Sequence, residues 1–87
     1  MRIEIKHDLI SALAVAAFRE IDALENKKGE VLELDLKHVN NIDSAGVGMI
    51  QRCLASFQTV KVLNACPYVK EVLEVVGISQ VISVEGL

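Results

Sequence analysis

The chain has 87 residues, 52% of them hydrophobic and 24% charged, with a formal net charge of −3. That composition describes one globular domain over residues 1–87, near the lower end of what folds on an ordinary core, and it excludes a disordered segment. The charges are interspersed without a basic stripe and the aromatics are only Phe18, Phe57 and Tyr68, so no nucleic-acid partner is expected.

Residues 1–6 alternate, with Ile3 and Ile5 on one side and Arg2, Glu4 and Lys6 on the other. This is the pattern of a half-buried strand. His7-Asp8 ends it, and Asp8 is placed to cap the helix that follows. In residues 9–26, Leu9, Ile10, Leu13, Ala14, Ala17, Phe18, Ile21 and Leu24 recur at helical spacing and are expected to face inward. Lys27 and Lys28 then complement the helix dipole, and Gly29 supplies a left-handed stop. Ala12, Val15 and Ala16 fall off the inward stripe. They read either as a partner or self-association patch or as a plain helix surface.

The next stretch, V-L-E-L-D-L over residues 31–36, alternates cleanly. Leu32, Leu34 and Leu36 are expected on a covered face, Glu33 and Asp35 on a wet one. A second helix carries Val47, Ile50, Leu54 and Phe57 inward. Residues 60–65 form a third strand. Pro67 suits the first position of a third helix, which buries Val69, Val72, Leu73 and Val76 and stops at Gly77. Residues 81–84 are the last strand. The order β-α-β-α-β-α-β, with connections of this length, favours parallel strands joined by right-handed crossovers. The expected fold is α/β: a two-layer, mostly parallel four-stranded sheet with helices on one face.

Several chemistries have no residues to support them. Gly46-x-Gly48 is followed by Gln51 where a dinucleotide fingerprint needs glycine, and no phosphate loop is present. His7 and His38 lack companions at metal-ligand spacing and read as surface residues. Asp35 lacks the setting of a phospho-accepting aspartate. No catalytic residue, cofactor or metal site is expected, and the chain does not read as an enzyme. Cys53 and Cys66 lie in apolar contexts and read as buried thiols, which fits a reducing cytoplasm. The longest apolar run, residues 9–18, is too short to span a bilayer, and no signal peptide precedes it.

One junction stands out: "VNNIDSAGVGMIQRCLASF", residues 39–57. Asp-Ser before a helix is a good cap, and Ala45 and Gly46 permit close packing. Yet Gly46 and Gly48 each cost a helix roughly 1 kcal/mol relative to alanine, and the loop follows the carboxyl end of a parallel strand, where α/β folds place functional groups. The motif therefore either only starts a helix or presents Ser44 to be acted upon.

"LELDLKHVNNIDSAGVGMI" resembles the signature of STAS domains, the fold of bacterial anti-sigma factor antagonists and of sulfate-transporter tails. That signature is an apolar strand, a short turn, Asp-Ser-[Ser/Thr/Ala]-Gly-[Leu/Val]-Gly and a helix. Asp43, Ser44, Ala45, Gly46, Val47 and Gly48 match it in order, and "VLNACPYVKEVLEVVGISQVISV" is similar to the family's later strand, helix, glycine and final strand. The resemblance implies that Ser44 is a phosphorylation site and that residues 43–48 contact a partner. It also implies an anti-sigma serine kinase that modifies Ser44 and a PP2C-type phosphatase that restores it, with the unmodified form binding the kinase. Lys6-His7-Asp8 stands where antagonists carry a Gly-Glu-Leu-Asp turn; Asp8 matches and joins the partner-binding candidates. An alternative the resemblance allows is a constitutive regulatory subunit of a lipid-transport ABC ATPase or of a sensor assembly. The oligomeric state is left open.

Overall fold

The computed structural model describes residues 1–24 and 29–87. Strands β1 (Arg2–Glu4), β2 (Val31–Asp35), β3 (Thr59–Ala65) and β4 (Ser83–Gly86) alternate with helices α1 (Ser11–Asp22), α2 (Ser44–Ser56) and α3 (Pro67–Val75). The strands form one sheet in the order β1-β2-β3-β4, and every pairing is parallel. Each connection steps one strand in the same direction with the same hand, so all the helices cover one face. Leu32 and Leu34 of β2 lie beside Val60 and Val62 of β3. Their side chains meet Ala17, Ile50, Cys53, Val69 and Leu73 in a single core. The other face carries Arg2, Glu4, Glu33 and Lys61.

Asp35 departs from the sequence expectation. It is not on a wet face: only 1% of it is exposed. Arg2 donates to Asp35 Oδ2 at 2.8 Å, Asn64 Nδ2 to Oδ1 at 3.0 Å, and the Lys37 N–H to Oδ1 at 3.1 Å. Asn64 is at φ 58°, in the irregularity between Val62 and Ala65 where β3 changes register against β4. Asparagine tolerates that left-handed backbone, and the bulge brings its amide to Asp35. The hydrogen bonds from Asn64 and Arg2, ahead of the cost of burial, hold the Asp35 carboxyl at about 2.

Other boundaries moved. Helix α1 begins at Ser11, after Ile10, and Asp8 does not cap it. Leu13 is 43% exposed and Leu24 37%, so the inward stripe narrows to Ala14, Ala17 and Ile21. Helix α1 also ends early, at Asp22 with Ala23 as its C-cap, rather than running to the expected end at Asn26; Asn26 itself and the roles of Lys27 and Lys28 lie outside the described residues. Helix α3 starts on Pro67 as expected, and Gly77 turns left-handed at φ 85°. Val76 is exposed, however, because that turn carries the chain into a short 3₁₀ helix, Ile78–Gln80. Ile78 and Ile82 fill the core there and push the last strand two residues further along. Cys53 is buried, whereas Cys66 is half-buried at the start of α3.

Candidate functional site

The β1–α1 loop and the β2–α2 loop lie side by side at the carboxyl ends of their strands. Their backbones are laced: the Leu9 N–H donates to the Asn41 carbonyl at 3.1 Å, and the Asp43 N–H donates to the Leu9 carbonyl at 3.2 Å. Leu9 and Ile42 form a parallel bridge. Two aspartates complete the lacing in opposite directions. Asp8, in the first loop, accepts from the backbone N–H groups of Asn40 (2.9 Å) and Asn41 (3.2 Å) and from Asn41 Nδ2 (3.2 Å). Asp43, in the second loop, accepts from the backbone N–H of Ser11 (2.9 Å) and more weakly from its hydroxyl (3.4 Å).

Asp43 also caps α2. Its Oδ1 accepts from the N–H groups of Ala45 (3.0 Å) and Gly46 (3.2 Å). One carboxylate thus holds the starts of two helices. These bonds favour the charged form, and Asp43 is held below the ordinary carboxylate range, first by the Ser11 N–H. Asp8 is lowered in the same way, first by the Asn40 N–H. Ser11 sits at φ 44°, an uncommon conformation for serine. Its N–H and hydroxyl both turn to Asp43. The sequence offered no local signal of that contact, which joins residues far apart in the chain.

Ser44 is the first residue of α2 and is exposed. Among the described residues its hydroxyl makes no hydrogen bond. The helix-start N–H groups next to it are already occupied by Asp43. Ala45, Val47 and Gly48 are half-buried beside it.

The two glycines differ. A Cβ on Gly46 would lie 2.2 Å from the Leu9 carbonyl oxygen, 2.7 Å from Ile42 Cγ1 and 2.9 Å from Leu9 Cβ. Gly46 is buried and lets α2 touch the β1–α1 loop, so its bareness serves internal packing. A Cβ on Gly48 would meet nothing within 4 Å. Gly48 is the glycine that leaves the surface open. It lines a groove of about 270 Å³ between α1 and α2, together with Ala45 and Arg52 of α2 and Ala14, Val15 and Phe18 of α1. The Arg52 guanidinium stands 5.4 Å from the centre of the Phe18 ring, a cation–π distance. Sequence reasoning missed Arg52; its position two helical turns beyond Ser44 was the available signal.

The STAS domain family model matches residues 1–86. The chain belongs to the STAS domain family. As a STAS domain it is a regulatory module that works through protein partners. The Asp-Ser-Ala-Gly-Val-Gly junction of the STAS signature is the laced loop and helix start described above. No curated protein matches the chain. Among the described residues, no helix is long and apolar enough to cross a membrane, and no group of three or more His, Cys, Asp or Glu side chains could hold a metal ion.

Proposed function

We propose that this STAS domain is a phospho-regulated binding module, a cytoplasmic, bacterial anti-sigma factor antagonist. In this reading the unmodified form binds an anti-sigma serine kinase, phosphorylation at Ser44 releases it, and a PP2C-type phosphatase resets it. The module binds and is acted upon; it catalyses nothing itself. The observation that carries the reading is the exposed Ser44 hydroxyl directly after the Asp43 cap. A phosphate there adds about −1.5 to −2 charge. The adjacent N–H groups of Ala45 and Gly46 already serve Asp43, so the new charge finds those two donors taken. The dianion stays at the surface, beside an ionised carboxylate. A partner covering Ser44, Ala45 and Gly48 would have to desolvate it, and a cost of several kcal/mol corresponds to more than a hundredfold in affinity.

The apolar groove favours a second reading. Its lining by Ala14, Val15 and Phe18 suits an inserted side chain whether or not Ser44 is modified. That surface would serve equally in a constitutive subunit of a lipid-transport ABC ATPase or a sensor assembly. Isothermal titration of the cognate partner separates the two. Under the first reading Ser44→Asp abolishes binding, and Ser44→Ala binds but is no longer phosphorylated. If Ser44→Asp binds as tightly as the unmodified chain, the switch reading fails and the constitutive one replaces it. Intact mass of the protein from its native cell provides an independent check, with one phosphate expected on Ser44.

A further inference from the structure

Among the described residues, strand β1 stands at one edge of the sheet and pairs only with β2. The Glu33 N–H donates to the Met1 carbonyl at 2.7 Å, and the Ile5 N–H donates to the Asp35 carbonyl at 3.0 Å. Met1, Ile3 and Ile5 therefore turn their backbone groups to β2. Arg2 and Glu4 turn theirs outward, where no described strand meets them.

We propose that the chain forms a two-fold dimer in which β1 pairs antiparallel with β1 of a second copy, centred on Ile3. Centring on Ile3 sets Arg2 opposite Glu4 of the partner subunit, and Glu4 opposite Arg2 of the partner subunit. The outward-facing residues are the ones so paired, and each pair exchanges both of its N–H···O bonds. On the open face, both cross-strand pairs are of opposite charge. On the helix face, Ile3 meets its symmetry mate at the closer, non-hydrogen-bonded spacing. Arg2 has donors to spare beyond its bond to Asp35, being 56% exposed. The Glu4 carboxylate, now 3.3 Å from Lys37 Nζ and 3.3 Å from His38 Nε2, keeps lone pairs for a further donor.

The space beside this edge suits a second copy. Grooves of about 330 Å³ and about 360 Å³ run between β1 and α1, and Glu20 and Ile21 line both. Leu13, Ala17 and Leu24 continue that row of α1, with Leu13 and Leu24 exposed. The partner's Met1 and the partner's Ile5 would point to this side. Short, charged edge strands usually discourage pairing. A discouraging edge repels its own copy, however, and this one is complementary to it. The opposite edge, β4, carries Glu85 as its single charge, so no antiparallel register of β4 with itself gains an ion pair.

Sedimentation equilibrium over a wide concentration range tests the dimer. The wild-type chain should show a reversible monomer–dimer equilibrium. Arg2→Glu makes the edge wholly acidic and Glu4→Arg makes it wholly basic, so each alone should weaken dimerisation at least about tenfold. An equimolar mixture of the two should dimerise again, because every cross-strand pair is then of opposite charge. In the unmodified protein, the amide protons of Arg2 and Glu4 should gain exchange protection as concentration rises, while those of Ile3 and Ile5 should not change. The proposal is overturned by a wild-type chain that stays monomeric throughout. It is equally overturned by folded charge variants that dimerise like wild type, or by protection at Arg2 and Glu4 that is independent of concentration.

Discussion

Gly46→Ala adds one methyl group, and the structure says where it goes. The new Cβ would lie 2.2 Å from the Leu9 carbonyl oxygen and 2.7 Å from Ile42 Cγ1. The oxygen belongs to the backbone, so no side-chain rotation relieves the clash. The Leu9 carbonyl also accepts the Asp43 N–H, and the Leu9 N–H is bonded to Asn41, so moving Leu9 strains the lacing of both loops. Overpacking of this kind costs about 1–3 kcal/mol or more. Weakening one or two hydrogen bonds adds about 0.5–1.5 kcal/mol each. Alanine's better helix propensity returns about 1 kcal/mol. The net expected loss is about 2–4 kcal/mol, or about 8–30 °C in Tm for a chain of this size. Gly48→Ala, on the same helix, meets nothing within 4 Å and should stabilise by up to about 1 kcal/mol. Urea unfolding followed by circular dichroism, with unchanged m, reads both. If Gly46→Ala unfolds at the wild-type urea concentration, or if both substitutions shift the midpoint in the same direction, the packing argument for Gly46 is wrong.

Asp35 should govern acid stability. Its carboxyl is held at about 2 against an ordinary aspartate value of 3.8, so it contributes about 2 kcal/mol above the unfolded value, and that contribution is lost as pH falls from about 4 to about 2. Asp35→Asn should flatten the urea midpoint across that window; an unchanged slope would contradict the role. The half-buried Cys66 should react with a thiol reagent well before the buried Cys53, with mass spectrometry of the labelled peptides giving the order and simultaneous labelling counting against it. Ser44→Ala and Ser44→Asp should both unfold within about 0.5 kcal/mol of wild type, as surface substitutions do, because the cap belongs to Asp43; a larger loss would place Ser44 in the structural framework.

What the sequence made legible was periodic or local. The alternation of residues 31–36 marked the core face of β2, helical spacing placed Ile50 and Leu73 inward, and Pro67 and Gly77 marked the limits of α3. What it hid was set by residues distant along the chain. Asp35 follows the same alternation as Glu33, and only Arg2 on one neighbouring strand and Asn64 on the other turn its site into a closed, satisfied one. Asn64 itself was a readable sign, since asparagine is depleted in strand interiors and tolerant of left-handed backbone. Asp8 looked like a cap because capping is a local rule. The β2–α2 loop competed for the same carboxylate and won it, offering two backbone N–H groups. Leu13 looked inward because apolar periodicity alone does not fix how wide a stripe of the helix the sheet covers, and Leu13 lies outside it.

The same non-local contacts bear on how Ser44 could act. A phosphorylatable loop held only by its own turn could refold when charged. This one is tied across to the β1–α1 loop by Asp8, by Asp43 and by the Leu9 backbone on both sides, with Gly46 seated against it. Modification at Ser44 touches none of these bonds, since its hydroxyl takes part in none. A phosphate there would therefore have little means of rearranging the domain, and its effect would fall on whatever surface covered Ser44, Ala45 and Gly48. On the proposed reading, the rigidity of the laced loops is what makes the switch one of binding: the loop presents the same shape in both states, and only its charge decides whether a partner can close over it.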